Sequence, residues 1–183
     1  PPYPPDGNPN DITCKGSYTA GKMELSKNAQ QVVAKVGDHE LTSGLLQIYY
    51  QTAINEYRLK GLEYGPNFED RLDTQLRDLD GVSITWQQFF LESALGSWKN
   101  YQALTLAANE AGFQLEEQYQ SELDNLEESL ATMAVSYGMA DAEELLAANV
   151  GKGAGMEDYR FFLKNNYIGG GYLNGLVERY DPT

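Results

Sequence analysis

Cysteine and histidine are almost absent from this sequence. Cys14 is the only cysteine and His39 the only histidine among 183 residues. A lone cysteine forms no intrachain disulfide, and the two residues together cannot supply the clusters of thiolates and imidazoles that hold zinc. The shortage of histidine also removes the most common general base. The sequence therefore predicts no metal site, no cofactor and no catalytic residue.

Basic residues are scarce as well. There are 13 Lys and Arg against 27 Asp and Glu, which gives a formal net charge of -14. Such a charge repels the phosphates of nucleic acid and an anionic membrane surface alike, so neither is expected as a partner. No Lys or Arg lies between Lys99 and Lys152, where ten carboxylates occur. A solvated helix face is the favoured interpretation of this acidic segment, and an attractor for basic clients is the alternative.

Long apolar runs are missing too. No stretch approaches the roughly 18 apolar residues of a membrane-spanning helix, and the first residues, Pro1 to Pro9, lack the basic and apolar regions of a signal peptide. We therefore expect no direct membrane insertion by this chain. The composition, 42% hydrophobic and 22% charged, is that of a globular domain with one core.

The beginning of the chain divides into an arm and a hairpin. Residues 1–28 are rich in proline, with glycine and asparagine, and predict an extended linker or arm, so that residues 29–183 form the domain. The β-branched residues Val32, Val33 and Val36 precede Gly37-Asp38, a pattern typical of a short strand and a tight turn.

Helical spacing dominates the remainder. Thr42 or Ser43 is a candidate N-cap for a helix ending near Gly61, and Leu72, Leu76 and Leu79 indicate a short helix in the long connection that follows. The expected fold is mainly α: a bundle-like peptide-binding module of about five helices with a short N-terminal strand or hairpin.

Four further helices are expected after that connection. Thr85 and Gln88 form a capping box that opens a long helix, which stops at Gly112. A third helix is predicted from about Leu115 to Tyr137, and Asp141 with Glu144 opens a short one. The last helix begins near Met156, with a kink or break at the glycines 169–171.

Aromatic side chains are abundant, with 13 Tyr, 6 Phe and 2 Trp. Each one taken singly is more often a core residue, but a core of this size does not need them all. Tyr and Trp suit recognition because they combine a large apolar area with a hydrogen-bonding tip. Seven aromatic residues are candidates for a peptide-binding face: Tyr49, Tyr50, Tyr57, Trp86, Phe90, Trp98 and Tyr101.

The order of three segments resembles the N-terminal chaperone domain of SurA and PrsA type foldases. These segments are VVAKVGDHELT at 32–42, TWQQFF at 85–90 and AANEAGF at 107–113. The resemblance covers about residues 30–180, and it extends to the peptide-binding arm region of trigger factor. It implies a chaperone module that binds unfolded or extended polypeptides outside the cytoplasm of a bacterium, secreted or attached to the cell surface.

The resemblance also bears on enzymatic activity. In this family a parvulin-type prolyl isomerase domain often follows or is inserted, and this sequence contains no parvulin motif. Any isomerase activity would then reside in a domain outside the present sequence. The strand at Val32–Val36 pairs in relatives with later strands, and an unpaired edge would favour a homodimer. A non-catalytic assembly module with one dedicated protein partner is the alternative function.

Overall fold

The computed structural model describes residues 30–37, 39–61, 64–79 and 81–180. The described chain is mainly helical with an N-terminal antiparallel hairpin, which confirms the expected fold class. The predicted arm at residues 1–28 lies outside the described residues. The strands are β1 Val32–Val36, β2 His39–Thr42, β3 Leu76–Leu79 and β4 Val82–Thr85. The helices are α1 Ser43–Leu59, α2 Trp86–Glu110, α3 Glu117–Asp124, α4 Leu126–Ser136, α5 Ala142–Val150 and α6 Met156–Tyr180.

The predicted N-terminal hairpin is present. β1 pairs antiparallel with β2, and Gly37 between them has a φ of +57°. This left-handed conformation carries no steric cost for glycine, which explains the position of the turn. Leu41 of β2 is fully buried, whereas the valines of β1 are partly exposed. The hairpin is thus attached to the helices through β2.

Two predicted helix starts are confirmed at the level of single hydrogen bonds. The Thr42 hydroxyl accepts from the Leu45 backbone N–H at 3.1 Å, and the Thr85 hydroxyl accepts from the Gln88 N–H at 3.1 Å. Each bond satisfies one of the unpaired donors in a first helical turn. The Gln88 side chain donates to Glu92, so the reciprocal half of the expected capping box is absent there.

The prediction of a short helix between α1 and α2 is wrong. Residues Leu76–Leu79 form β3, which pairs antiparallel with β4 across a turn at Gly81. Leu72 is fully buried while Leu76 is 64% exposed, so the leucines do not share the single face that a helix would give them. The β-branched residues of β4 favour an extended strand instead.

Two expectations about helix continuity are also wrong. The third predicted helix is divided at Asn125, where the backbone leaves helical geometry between α3 and α4. The Asn125 side-chain amide donates to the Ser121 carbonyl at 2.9 Å. Asparagine competes with backbone hydrogen bonds in this way. In contrast, α6 runs unbroken through Gly169–Gly171, because tertiary packing there requires small residues. The described residues contain six helices.

Two apolar clusters stabilise the arrangement. The main cluster lies between α1 and α2, with Trp98, Tyr50 and Phe90 among its fully buried members. A smaller cluster joins α1 to α5 through Ile48, Leu146 and Val150. Helix α6 packs chiefly on α2 and also contacts α1, so it closes the main cluster from one side.

Candidate functional site, a cleft between α1, α2 and α6

The seven aromatic candidates are divided between the core and the surface. Tyr49, Tyr50, Trp86, Phe90 and Trp98 are each at most 7% exposed. They fill the space between α1 and α2, where large aromatic side chains supply most of the buried apolar area. In the folded chain these five are covered by neighbouring side chains. Their contact with a client stays a prediction.

The other two candidates, Tyr57 and Tyr101, are partly exposed. The Tyr57 ring lies edge-on to Trp86 and Phe90, with centroids 5.3 and 5.5 Å apart, and its hydroxyl donates to the Tyr64 carbonyl at 2.7 Å. Tyr57 therefore closes one end of the aromatic core. Tyr101 lies elsewhere, beside Tyr49.

Tyr49 and Tyr101 meet in a cleft of about 220 Å³ where α1, α2 and α6 converge. Both tyrosines belong to the predicted set, and the convergence of three helices brings them together. The lining residues are Tyr49, Thr52, Ala53 and Glu56 from α1, Ser97 and Tyr101 from α2, and Phe162, Leu163 and Asn166 from α6. Two facing aromatic rings form the inner wall, because Tyr49 contacts Phe162 edge-on at a centroid distance of 4.9 Å.

The Tyr49 hydroxyl is a polar group buried beneath the lining of the cleft. It is buried and has no hydrogen-bond partner among the described residues. Burial, and to a lesser degree the neighbouring Tyr101, raises the pKa of Tyr49 above its ordinary value. The phenol therefore keeps its proton at neutral pH and offers both a donor and an acceptor. A buried polar group of this kind gains free energy when a ligand pairs with it.

The chemistry of the lining residues is that of binding. Glu56 at the rim is the one charged side chain among them, and none is a histidine, cysteine or base poised against a nucleophile. The described residues also contain no group of three or more metal-ligating side chains. Apolar contact with the rings and hydrogen bonding to the hydroxyl groups and Asn166 are what the cleft offers.

A hydrogen-bonded junction positions α6 against α1. The Thr42 hydroxyl, which caps α1, donates to Asp158 Oδ1 at 2.9 Å, and the Gly155 N–H donates to Asp158 Oδ2 at 3.2 Å. Asp158 thus closes the first turn of α6 and holds the first turn of α1 at once. Burial raises the pKa of Asp158 above its ordinary value of 3.8, while the two hydrogen bonds oppose that shift.

Gly44 allows the first turns of α1 and α6 to approach each other closely at this junction. A Cβ atom at position 44 would lie 2.6 Å from Asp158 Oδ2 and 3.1 Å from the Gly153 carbonyl oxygen. Only a residue without a side chain fits between the two helix starts. Because α6 supplies three cleft residues, the junction also sets the width of the cleft.

Gly169 has the same role farther along α6. Its missing Cβ would lie 3.1 Å from the Tyr101 ring and 3.2 Å from Leu104 Cβ. Helices α2 and α6 approach each other closely at this point, and Tyr101 is fixed as a cleft wall. The glycine segment therefore reflects helix packing and not a helix break.

Helices α2 and α6 carry several buried polar side chains. Four of their buried groups have no hydrogen-bond partner among the described residues: Trp98 Nε1, Gln102 Nε2 and Thr105 Oγ1 on α2 and Asn165 Nδ2 on α6. Asp158, Asn165 and Gly169 are the only buried residues of α6. Unpaired buried polar groups cost about 1 to 3 kcal/mol each.

A second cavity, of about 360 Å³, lies between β2 and α6. Its walls carry charges of both signs, from Glu40 of β2 and from Glu157, Arg160 and Lys164 of α6. The Thr42–Asp158 junction forms its floor, and Asp158 uses both of its oxygen atoms there. We assign the binding site to the cleft, because its lining has one charged side chain and this cavity has five.

Several cleft residues escaped the sequence reasoning. The helical spacing of Phe162 and Leu163 predicts a buried stripe on α6, but it does not predict which helices the stripe contacts. Ser97 and Asn166 gave no signal, because small polar residues on a helix resemble an ordinary solvated face.

Comparison with protein-family models, with curated proteins and with solved structures finds no match to this chain. The resemblance to the foldase chaperone domain accordingly stays a prediction. Among the described helices none combines the length and the apolar content needed to cross a membrane.

Proposed function

We propose that this chain is an extracytoplasmic chaperone module of the SurA and PrsA foldase type, which holds unfolded polypeptide segments through the cleft between α1, α2 and α6. The observation that carries the proposal is the cleft itself, which is lined by aromatic side chains from all three helices. Exposed client side chains would be buried against Tyr101 and Phe162.

The size of the cleft fits one large side chain of a client. A cavity of about 150 Å³ admits benzene, so 220 Å³ accommodates an aromatic or branched aliphatic side chain. Burying such a side chain contributes roughly 1.5 to 3 kcal/mol. A dissociation constant of 1 mM corresponds to about 4 kcal/mol. One cleft alone therefore gives weak and broad affinity, as a chaperone that releases its clients requires.

Filling the cleft tests the proposal. Ser97→Phe places a ring in the cleft from α2, and Asn100→Phe places the same ring on an exposed position of that helix, outside the lining residues. Binding of a fluorescently labelled, permanently unfolded polypeptide is followed by anisotropy, and far-ultraviolet circular dichroism verifies the fold of both variants. We expect Ser97→Phe to weaken binding about tenfold and Asn100→Phe to leave it unchanged.

Equal affinities of the two variants would refute the cleft as the binding site. Competition separates a chaperone from an assembly module with one dedicated partner. Unrelated unfolded peptides displace the label from a chaperone cleft, whereas a dedicated site ignores most of them.

A further inference from the structure

The C-terminal end of α4 exposes a group of apolar side chains, which we name the α4 tip. Met133, Val135 and Tyr137 are 47%, 71% and 69% exposed. Met133 and Tyr137 continue the helical stripe of Leu126 and Leu130, and Leu130 packs against the smaller cluster between α1 and α5. The stripe therefore runs from a small core outward into solvent, where it has no partner among the described residues.

Local hydrogen bonds hold the α4 tip in place. The Met139 N–H donates to the Ala134 carbonyl at 2.9 Å, after Gly138 ends the helix. On the other side of the connection Asp141 accepts from the Glu144 N–H at 2.9 Å, and the Glu144 carboxylate accepts from the Ala140 N–H at 2.6 Å. The connection to α5 is thus ordered, so the apolar side chains are presented at fixed positions.

The charge around the α4 tip has one sign. The segment between Lys99 and Lys152 carries ten carboxylates and no Lys or Arg, and all ten are exposed. Glu128 lies five residues before Met133, which is about 8 Å along a helix axis. Electrostatic attraction acts over about 8 Å at physiological ionic strength. A ligand seated on the apolar side chains therefore lies within reach of Glu128.

We infer that the α4 tip is a second binding surface, and that its partner is a basic polypeptide segment with apolar side chains. The apolar residues of such a segment bury Met133 and Tyr137, and its Lys or Arg residues neutralise the surrounding carboxylates. A second copy of this chain brings the same negative charge and is repelled, as is an anionic membrane. A neutral apolar partner desolvates the nearby carboxylates without compensating them.

The surface is distinct from the cleft, with which it shares no residue. The inference goes beyond the proposed function, because it stands on exposed apolar area and charge at a separate place.

Three labelled peptides of equal length test the inference by anisotropy. One peptide is basic with apolar residues, one has the same apolar residues with Gln in place of Lys and Arg, and one has the same basic residues with Ser in place of the apolar ones. The first is expected to bind at least about tenfold more tightly than either of the others. Equal binding of the neutral or the purely basic peptide would overturn the inference.

Variants assign the binding to the tip. Met133→Ser with Tyr137→Ser should weaken binding of the basic apolar peptide about tenfold, since both side chains are exposed and their loss leaves the core intact. The control Leu173→Ser with Val177→Ser removes exposed side chains of α6 and should have no effect. Unchanged binding in the tip variant, or equal loss in the control, contradicts the inference.

A charge variant adds a second readout. Glu127→Gln with Glu128→Gln keeps the shape of α4, and it should lower both the affinity and the dependence of affinity on salt. The cleft variant Ser97→Phe should leave the salt-dependent part of this binding unchanged, because the cleft lining carries only one charged side chain. Its loss with Ser97→Phe would place the peptide in the cleft and overturn the second surface.

Discussion

Gly44→Ala is expected to destabilise the chain, although alanine is the better helix former. Replacing glycine by alanine inside a helix normally stabilises by about 0.5 to 1 kcal/mol. At position 44 the new Cβ would lie 2.6 Å from Asp158 Oδ2 and 3.1 Å from the Gly153 carbonyl oxygen. Overpacking of this kind costs about 1 to 3 kcal/mol. The net loss in the free energy of unfolding should therefore be about 1 to 2 kcal/mol.

Gly96 supplies the matched control. It also lies inside a helix, α2, and a Cβ atom there would meet no neighbouring atom within 4 Å. Gly96→Ala should accordingly stabilise by about 0.5 to 1 kcal/mol. Urea unfolding followed by the fluorescence of the buried Trp98 measures both variants. The two changes in midpoint should have opposite signs.

The double variant of Gly44→Ala with Asp158→Ala identifies the cause. Removing the carboxylate relieves the closest contact of the new Cβ, so the combined loss should be smaller than the sum of the two single losses. A Gly44→Ala variant more stable than the parent chain would refute the close approach of the two helix starts. Strict additivity would refute the role of Asp158 in it.

Three other substitutions test the same structure. The folded chain raises the pKa of Asp158, so ionisation of Asp158 lowers stability as pH rises from about 3.8 through that pKa. Asp158→Asn should therefore gain stability relative to the parent chain over this pH range, as measured by urea unfolding. A loss of stability relative to the parent chain would contradict the raised pKa. Gly169→Ala should lower the melting temperature while Gly170→Ala, whose Cβ meets nothing within 4 Å, should not, and equal effects would contradict the close packing. Tyr49→Phe should raise stability by about 1 kcal/mol and weaken binding of an unfolded polypeptide, whereas unchanged binding would remove the hydroxyl from recognition.

Local signals in the sequence identify most of the helices. The caps at Thr42, Thr85 and Asp141 depend on residues three positions apart, and all three side chains accept the expected backbone hydrogen bond. The glycines that end α2 and α4 act locally as well. Such features are visible in a sequence because they need no knowledge of distant contacts.

The errors arise where tertiary contacts decide. Leu72 and Leu76 have helical spacing, yet Leu72 is fully buried and Leu76 is exposed. The Leu72 carbonyl accepts from the Gln87 backbone N–H, a contact with α2 that the spacing does not reveal. The glycines of α6 predict a break because low helix propensity is visible in the local sequence. The packing of Gly169 against Tyr101 is a tertiary contact that the local sequence does not show. The cleft follows the same rule, since only the crossing of three helices brings Tyr49, Tyr101 and Phe162 together.

Site-specific cross-linking tests the central claim most directly. A photoreactive amino acid replaces Glu56, which is exposed at the rim of the cleft, or Asn100, which is exposed on α2 outside it. Each protein is irradiated with an unfolded polypeptide. We predict a cross-linked product from position 56 and none from position 100. Excess unlabelled unfolded polypeptide should abolish the product from position 56. Equal products from both positions, or none from position 56, would contradict a client-binding cleft.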